Sequence, residues 1–227
     1  MNTHVLLTYS FDWSVVIKVL PFLLKGLQVT VRITLLSLSL SLVLGLGVAL
    51  VRMAPGPIGV LGFLYVQVFR ALSLYVYILF VYFGIAAVFH IDFDPITAGV
   101  VSLTLLNSAY MAEIYRAAIQ AIDPGQREAA RSLGLGAIGT FVTVTFPQAW
   151  RIAIPALVNQ FTDIIKDSSI VAAIGTPDLM YQTIERNSFY QRSFELYTEV
   201  AVIYLVMVVI VAQLASRLEK RLQRHVA

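Results

Sequence analysis

Asp163, Lys166 and Asp167 stand at i, i+3 and i+4, so in a helix they share one face, with Asn159 one turn earlier and Ser169 close by. That face offers one cation and two anions within little more than a helical turn. It suits a small zwitterion: an ammonium at Lys166 takes a carboxylate, Asp163 and Asp167 take an ammonium, and Asn159 and Ser169 add neutral hydrogen bonds. The same trio also fits an ion pair satisfied within its own helix, orienting that helix without touching a solute. Asn107, on an earlier apolar stretch, is a further pocket candidate, and a helix-to-helix hydrogen bond explains it equally well. Catalysis has no comparable constellation. The three histidines, His4, His90 and His225, lie outside the apolar stretches, and there are no cysteines. Thiolate metal sites and cysteine nucleophiles are thereby excluded, and no Ser/His/Asp or metal-ligand spacing appears. His90 with Asp92 and Asp94 reads as a solvated acidic loop.

The elements that hold these residues are membrane helices. Of 227 residues, 59% are hydrophobic and 13% charged, and the mean hydropathy is +0.81, whereas a soluble domain carries roughly 25% charged residues. A spanning helix needs about 20 apolar residues. Five stretches qualify, near Leu27–Val51, Gly59–Phe83, Pro95–Ile122, Ile152–Ile174 and Leu196–Leu214. They are separated by breakers such as Ala54-Pro55-Gly56-Pro57 and Asp123-Pro124-Gly125. Phe11-Asp12-Trp13-Ser14 and the following Val15, Val16, Val19 and Leu20 predict a short interfacial helix before the first span. The first residues have no basic segment before an apolar core and no small-residue cleavage site, so the mature chain is expected to begin at or near Met1. Ser37, Ser39, Ser41, Gly45 and Gly47 enrich the first span in small residues, which predicts close helix packing in lipid.

Charge placement gives an orientation. With the N-terminus outside, the cytoplasmic segments hold Arg52, Arg116, Arg127, Arg131, Arg151, Arg217, Lys220, Arg221 and Arg224, against Lys18, Arg186 and Arg192 outside. Cytoplasmic segments are enriched in Lys and Arg, so the N-terminus is expected outside and the C-terminus in the cytoplasm. An ionisable group at the bilayer centre costs roughly 2.5–3.5 kcal/mol on insertion scales, so those within spans must face a cavity or one another. Glu113 and Arg116 form an i, i+3 pair near the cytoplasmic end of the third span and read as a structural pair or gate element. Arg32 and Arg70 either snorkel or pair between helices.

The longest cytoplasmic segment, about residues 123–150, predicts a short helix after Pro124 with Glu128, Ala129, Ala130 and Arg131. A turn at Gly134 and Gly136 and a second apolar stretch from about Ile138 to Val144 follow. Small alanines let such a helix sit deep in a groove on a soluble partner, while Glu128 and Arg131 pair across the contact.

These residues resemble the permease subunits of bacterial ATP-binding cassette (ABC) importers, whose cytoplasmic signature is Glu-Ala-Ala, three residues, Gly, nine residues, then Ile-x-Leu-Pro. Glu128, Ala129, Ala130 and Gly134 match, and Val144, Phe146 and Pro147 follow at the same spacing. The resemblance extends over nearly the whole chain and narrows to the polar amino acid branch. It is carried by Pro21 to Leu27 with Thr30, Asn107 to Arg116, Gly125-Gln126, Pro147-Gln148-Ala149, Pro155, Asn159 and Lys166-Asp167-Ser168-Ser169. One departure stands out: the branch commonly has Arg-Gly-Thr-Pro in its second span, and here Arg70 is followed by Ala71-Leu72-Ser73. Losing Gly and Pro is expected to remove a helix break near the pathway.

The resemblance implies an all-α integral membrane protein of about five transmembrane helices, a single permease domain over 1–227 with a coupling helix on its cytoplasmic loop, in the bacterial inner membrane. It implies an ATP-binding cassette ATPase dimer, a second permease subunit, identical or homologous, an extracytoplasmic solute-binding protein and the lipid bilayer as partners. Nothing suggests nucleic acid. Glu128, Ala129, Ala130, Arg131 and Gly134 would couple ATPase closure to the membrane spans. The chain has no Gly-x-x-x-x-Gly-Lys-Ser/Thr phosphate loop, so it is expected to be no enzyme and to bind no cofactor, with ATP and Mg used by the partner. Two alternatives stay open: transport of another small polar or zwitterionic solute, and a self-sufficient secondary carrier, which would leave the docking loop without a purpose.

Overall fold

The computed structural model describes residues 10–90 and 93–223, with side chains described as far as Arg217. Asp92, Arg224, His4 and His225 lie outside the described residues, as does the side chain of Lys220 and that of Arg221. Among the described residues every regular element is helical. The first, α1, runs without interruption over Ser14–Met53, 40 residues. At 1.5 Å per residue that is about 60 Å, twice the hydrocarbon thickness of a bilayer. The separate interfacial helix expected over residues 11–20 therefore does not exist; it is the first turns of α1. Its apolar stripe is the reason. Val15, Val19 and Leu23 are buried on one face and pack with Leu179, Leu196 and Val200, so the same contacts run on past Pro21.

The small residues of α1 bring in the central helix, α4 (Pro95–Gln120), with α2 (Pro57–Ala71) and α3 (Leu74–Phe89) lying between them in sequence. Ser37 Oγ donates to the Val100 carbonyl at 3.4 Å and Ser41 Oγ to that of Thr104 at 3.2 Å. A Cβ on Gly45 would stand 2.7 Å from Met111 Cβ, so a larger residue there would push the two helices apart. Helix α4 starts as its sequence predicts, with Pro95 in the first turn, and Asp94 caps it by accepting the Thr97 amide at 3.1 Å.

The second expected span, Gly59–Phe83, is not one straight helix. α2 and α3 meet at 103°. Leu72 and Ser73 are extended at the corner (ψ 139° and 128°), so the break persists although neither Gly nor Pro is present. Packing makes it. Phe69 meets Tyr77 edge-on across the corner at 5.4 Å, Tyr65 lies 4.5 Å from Phe69, and Tyr65 Oη is anchored 2.9 Å from the Leu105 carbonyl of α4. The expected loss of the break is therefore wrong.

After α4 come α5 (Pro124–Ser132), α6 (Ala137–Ile174), α7 (Leu179–Tyr190) and α8 (Ser193–Gln223). α6 begins well before the expected Ile152, because the second apolar stretch of the loop continues directly into the span. Four helices, α1, α4, α6 and α8, are long and apolar enough to cross a membrane, and the bent pair α2–α3 makes a fifth crossing if counted as one.

The first turn of α7 is seated against α1. Asp178 caps it, accepting the Tyr181 amide at 2.9 Å, and the Leu179 amide donates to Thr30 Oγ1 at 3.0 Å. Asp178 is fully buried, and burial pushes its carboxyl from 3.8 to about 7 against the pull of the cap hydrogen bonds. Between those values the unfolded chain releases the proton that the folded chain keeps, so stability falls as pH rises through this window and is flat above it. Asp178→Asn keeps an oxygen for the cap and has no proton to lose. The thermal unfolding temperature of the variant in detergent should therefore lose the decline that the parent shows over this window; an unchanged profile contradicts the assignment.

Candidate functional site

Two places on this scaffold collect candidate functional side chains. The first is a cavity of about 400 Å³ among the α2–α3 corner, α4 and α6. Its polar wall is one face of α6: Gln160, Asp163, Lys166 and Asp167. Leu72 and Leu74 come from the corner, Leu106 and Tyr110 from α4. Lys166 Nζ lies 2.7 Å from Asp163 Oδ1, and both side chains are about half exposed, at 58% and 51%. The pair is thus available to a solute while satisfying each charge in its absence. Asp167 is half-buried beside them.

The predicted trio is therefore brought together, and three other candidates are not. Asn107 is fully buried behind the wall: its Nδ2 donates to the Leu103 carbonyl at 2.8 Å, and its Oδ1 accepts from Gln160 Nε2 at 2.7 Å. It makes a helix-to-helix hydrogen bond and orients Gln160. Asn159 is exposed but forms no part of the cavity wall, and Ser169 donates back to the Lys166 carbonyl at 2.8 Å. Gln160 and Tyr110 were missed. Gln160 stands three residues before Asp163, so the spacing that selected the trio also reaches it. Tyr110 carries a second contact, since the Arg70 guanidinium sits 5.3 Å from its ring centroid.

The second place is α5 and the turn after it. Asp123 Oδ1 accepts the Gly125 amide at 2.7 Å and starts the helix. Its end is a Schellman turn. The Leu135 amide donates to the Ala130 carbonyl at 3.2 Å and the Gly134 amide to that of Arg131 at 2.9 Å, with Gly134 at φ +85°. Only glycine adopts that conformation without strain, which explains its place in the motif. Ala130 faces inward and is 4% exposed, whereas Glu128, Ala129 and Arg131 are exposed. Leu133 and Ile138, on either side of the turn, are 85% and 82% exposed. Apolar side chains so open, beside alanine and one acid, make a surface shaped for a protein partner.

Between the two places lies an ion network at the end of α1 and α4. Glu113 Oε1 pairs with Arg52 at 2.9 Å and its Oε2 with Arg116 at 3.0 Å, while Arg116 Nη1 donates to Gln120 Oε1 at 2.6 Å. The Glu113–Arg116 pair thus has a third member from another helix and ties the two helix ends together.

A cavity that carries both charges between long apolar helices is what a membrane transporter of polar solutes needs. The chain belongs to the family of binding-protein-dependent transport system inner membrane components, which matches residues 41–224. It is a permease subunit of an ABC transporter and not an enzyme. The glutamine transport system permease protein GlnP of Escherichia coli (strain K12) is 35% identical over 94% of this chain and 99% of its own length. The arginine transport system permease protein ArtQ of Bacillus subtilis (strain 168) is 33% identical over 95% and 99%. Among solved structures, a chain of an amino acid ABC transporter crystallised with histidines is 39% identical, with a TM-score of 0.87 over 94% of this chain and 100% of that one. A chain of the MetNI methionine ABC transporter in an inward-facing conformation, at 18% identity and a TM-score of 0.77, covering 88% of this chain and 95% of that one, shares the fold.

Proposed function

We propose that this permease carries a polar amino acid inward through the cavity on α6, as one of a pair of identical or homologous subunits. The observation that carries this reading is the mixed charge of the cavity wall. Lys166 receives the substrate carboxylate, Asp163 and Asp167 the ammonium, and Gln160, held by Asn107, a neutral polar group. An ATP-binding cassette ATPase dimer, which holds the ATP and Mg, docks on α5 through Glu128, Ala129 and the exposed Leu133 and Ile138. An extracytoplasmic solute-binding protein delivers the substrate to the opposite face. The family likeness to GlnP and ArtQ supports an amino acid over other small zwitterions.

The reading places α5 in the cytoplasm and the N-terminus outside. Because the natural chain has no cysteine, a single Ser132→Cys on α5 reports this directly. With the permease expressed without its ATPase, which would cover this face, a membrane-impermeant maleimide should label it in inside-out vesicles and leave it unlabelled in intact spheroplasts; the reverse pattern overturns the orientation. Substrate class is tested by screening amino acids for stimulation of ATP hydrolysis by the reconstituted complex. Stimulation by one class of polar amino acid is expected, and a response only to sugars, peptides or inorganic ions contradicts the assignment.

A further inference from the structure

The face of α5 opposite Glu128 forms a second pocket, of about 300 Å³, whose wall includes Leu50, Met53, Ile119, Arg127, Arg131 and Phe141. On a helix Arg127, Ala130 and Arg131 fall on one side and Glu128, Ala129 and Ser132 on the other. Ala130 is the buried residue of α5, so the side with the two arginines is turned toward the membrane helices. Arg127 is half-buried and Arg131, at the rim of the pocket, is exposed. Among the described residues neither arginine has an ion pair, and no acidic side chain lines the pocket. Two guanidinium groups thus meet an apolar wall made from the ends of α1 and α4 and the start of α6.

We propose that this pocket holds the phosphate headgroup of an anionic phospholipid of the cytoplasmic leaflet. Arginine forks match phosphate oxygens bidentately, and basic pockets between membrane helices on the cytoplasmic side are suited to acidic lipids. Leu50 and Met53 are in the last turn of α1, the end that the proposed orientation turns to the cytoplasm. The volume accommodates a glycerophosphate portion, and Leu50, Met53, Ile119 and Phe141 provide the surface along which acyl chains leave. A protein partner gripping the outward face of α5 leaves this side free, so the lipid would brace the coupling helix from behind.

The proposal rests on the cytoplasmic placement of α5, and the Ser132→Cys labelling in spheroplasts and inside-out vesicles separates failure of that placement from failure of the pocket. The test is native mass spectrometry of the whole complex from nanodiscs of phosphatidylcholine with increasing phosphatidylglycerol. The parent should retain phosphatidylglycerol in preference to phosphatidylcholine. With roughly fivefold in affinity from each cation near an anionic headgroup, R127Q/R131Q should weaken retention about 25-fold. R127K/R131K should keep most of it, showing that the helix still folds, and Arg151→Gln, a basic residue outside the pocket, should match the parent. Equal retention by R127Q/R131Q and the parent overturns the proposal, as does an equal loss in Arg151→Gln. Protection of the parent by inorganic phosphate with no lipid preference would identify a free anion as the occupant and also overturn it.

Discussion

Replacing Glu128 by Arg should reduce amino-acid-stimulated ATP hydrolysis of the assembled transporter to its unstimulated rate while the permease still inserts and folds. Glu128 is exposed on the outward face of α5 and has no ion pair among the described residues, so the chain alone loses nothing by the exchange. At a docked interface the reversal does cost. Like charges brought together there cost several kcal/mol, and losing a desolvated charge pair costs about 2–5 kcal/mol, enough to weaken coupling 30-fold or more. Stimulation by substrate should vanish, and the ATPase should co-purify poorly. Undiminished stimulation in the variant would remove α5 as the coupling element.

The second large effect is expected at the charged wall of the cavity. Lys166→Met should lower amino acid uptake at least tenfold, because one charge-assisted hydrogen bond to a substrate carboxylate contributes about 1.5–3 kcal/mol. A purely structural ion pair cannot account for such a loss. Asp163 and Lys166 are each about half exposed, and a pair at that exposure contributes about 0–1 kcal/mol to folding. Asp163→Asn with Lys166→Met separates the roles. If the pair only orients α6, removing both charges restores uptake; if it receives the zwitterion, the double variant is at least as impaired as the worse single one. The second outcome is expected, with uptake and thermal stability measured together.

Most of the fold was legible because the bilayer imposes long apolar runs, and the starts at Pro95 and Asp123-Pro124 are local signals that the structure keeps; the cap by Asp94, read as part of an acidic loop, was not legible. Two features depended on packing between distant residues. The corner at Leu72 and Ser73 has no Gly or Pro to announce it; the aromatic contacts among Tyr65, Phe69 and Tyr77 and the anchor at Leu105 hold it. The start of α1 read as a separate helix because Phe11-Asp12-Trp13-Ser14 and the apolar residues up to Leu20 look like an interfacial segment ahead of the span, whereas Leu179 and Leu196 bury a stripe that runs on through Leu23. At the cavity, helical spacing alone was enough to place Asp163, Lys166 and Asp167 on one face. It could not tell that Asn107 would bond to Gln160 across two helices, since that pairing is fixed only when α4 and α6 meet. Gly134, by contrast, was readable as a turn, and its φ of +85° shows why.

The most direct test of the account is uptake of radiolabelled amino acid by proteoliposomes containing the permease pair, its ATPase and its binding protein, with ATP supplied on the α5 side only. Accumulation above the external concentration that requires hydrolysable ATP, and that is absent when the permease is reconstituted alone, is the predicted result. Equal uptake by the permease alone, without ATP, would contradict the account and identify the chain as a self-sufficient carrier.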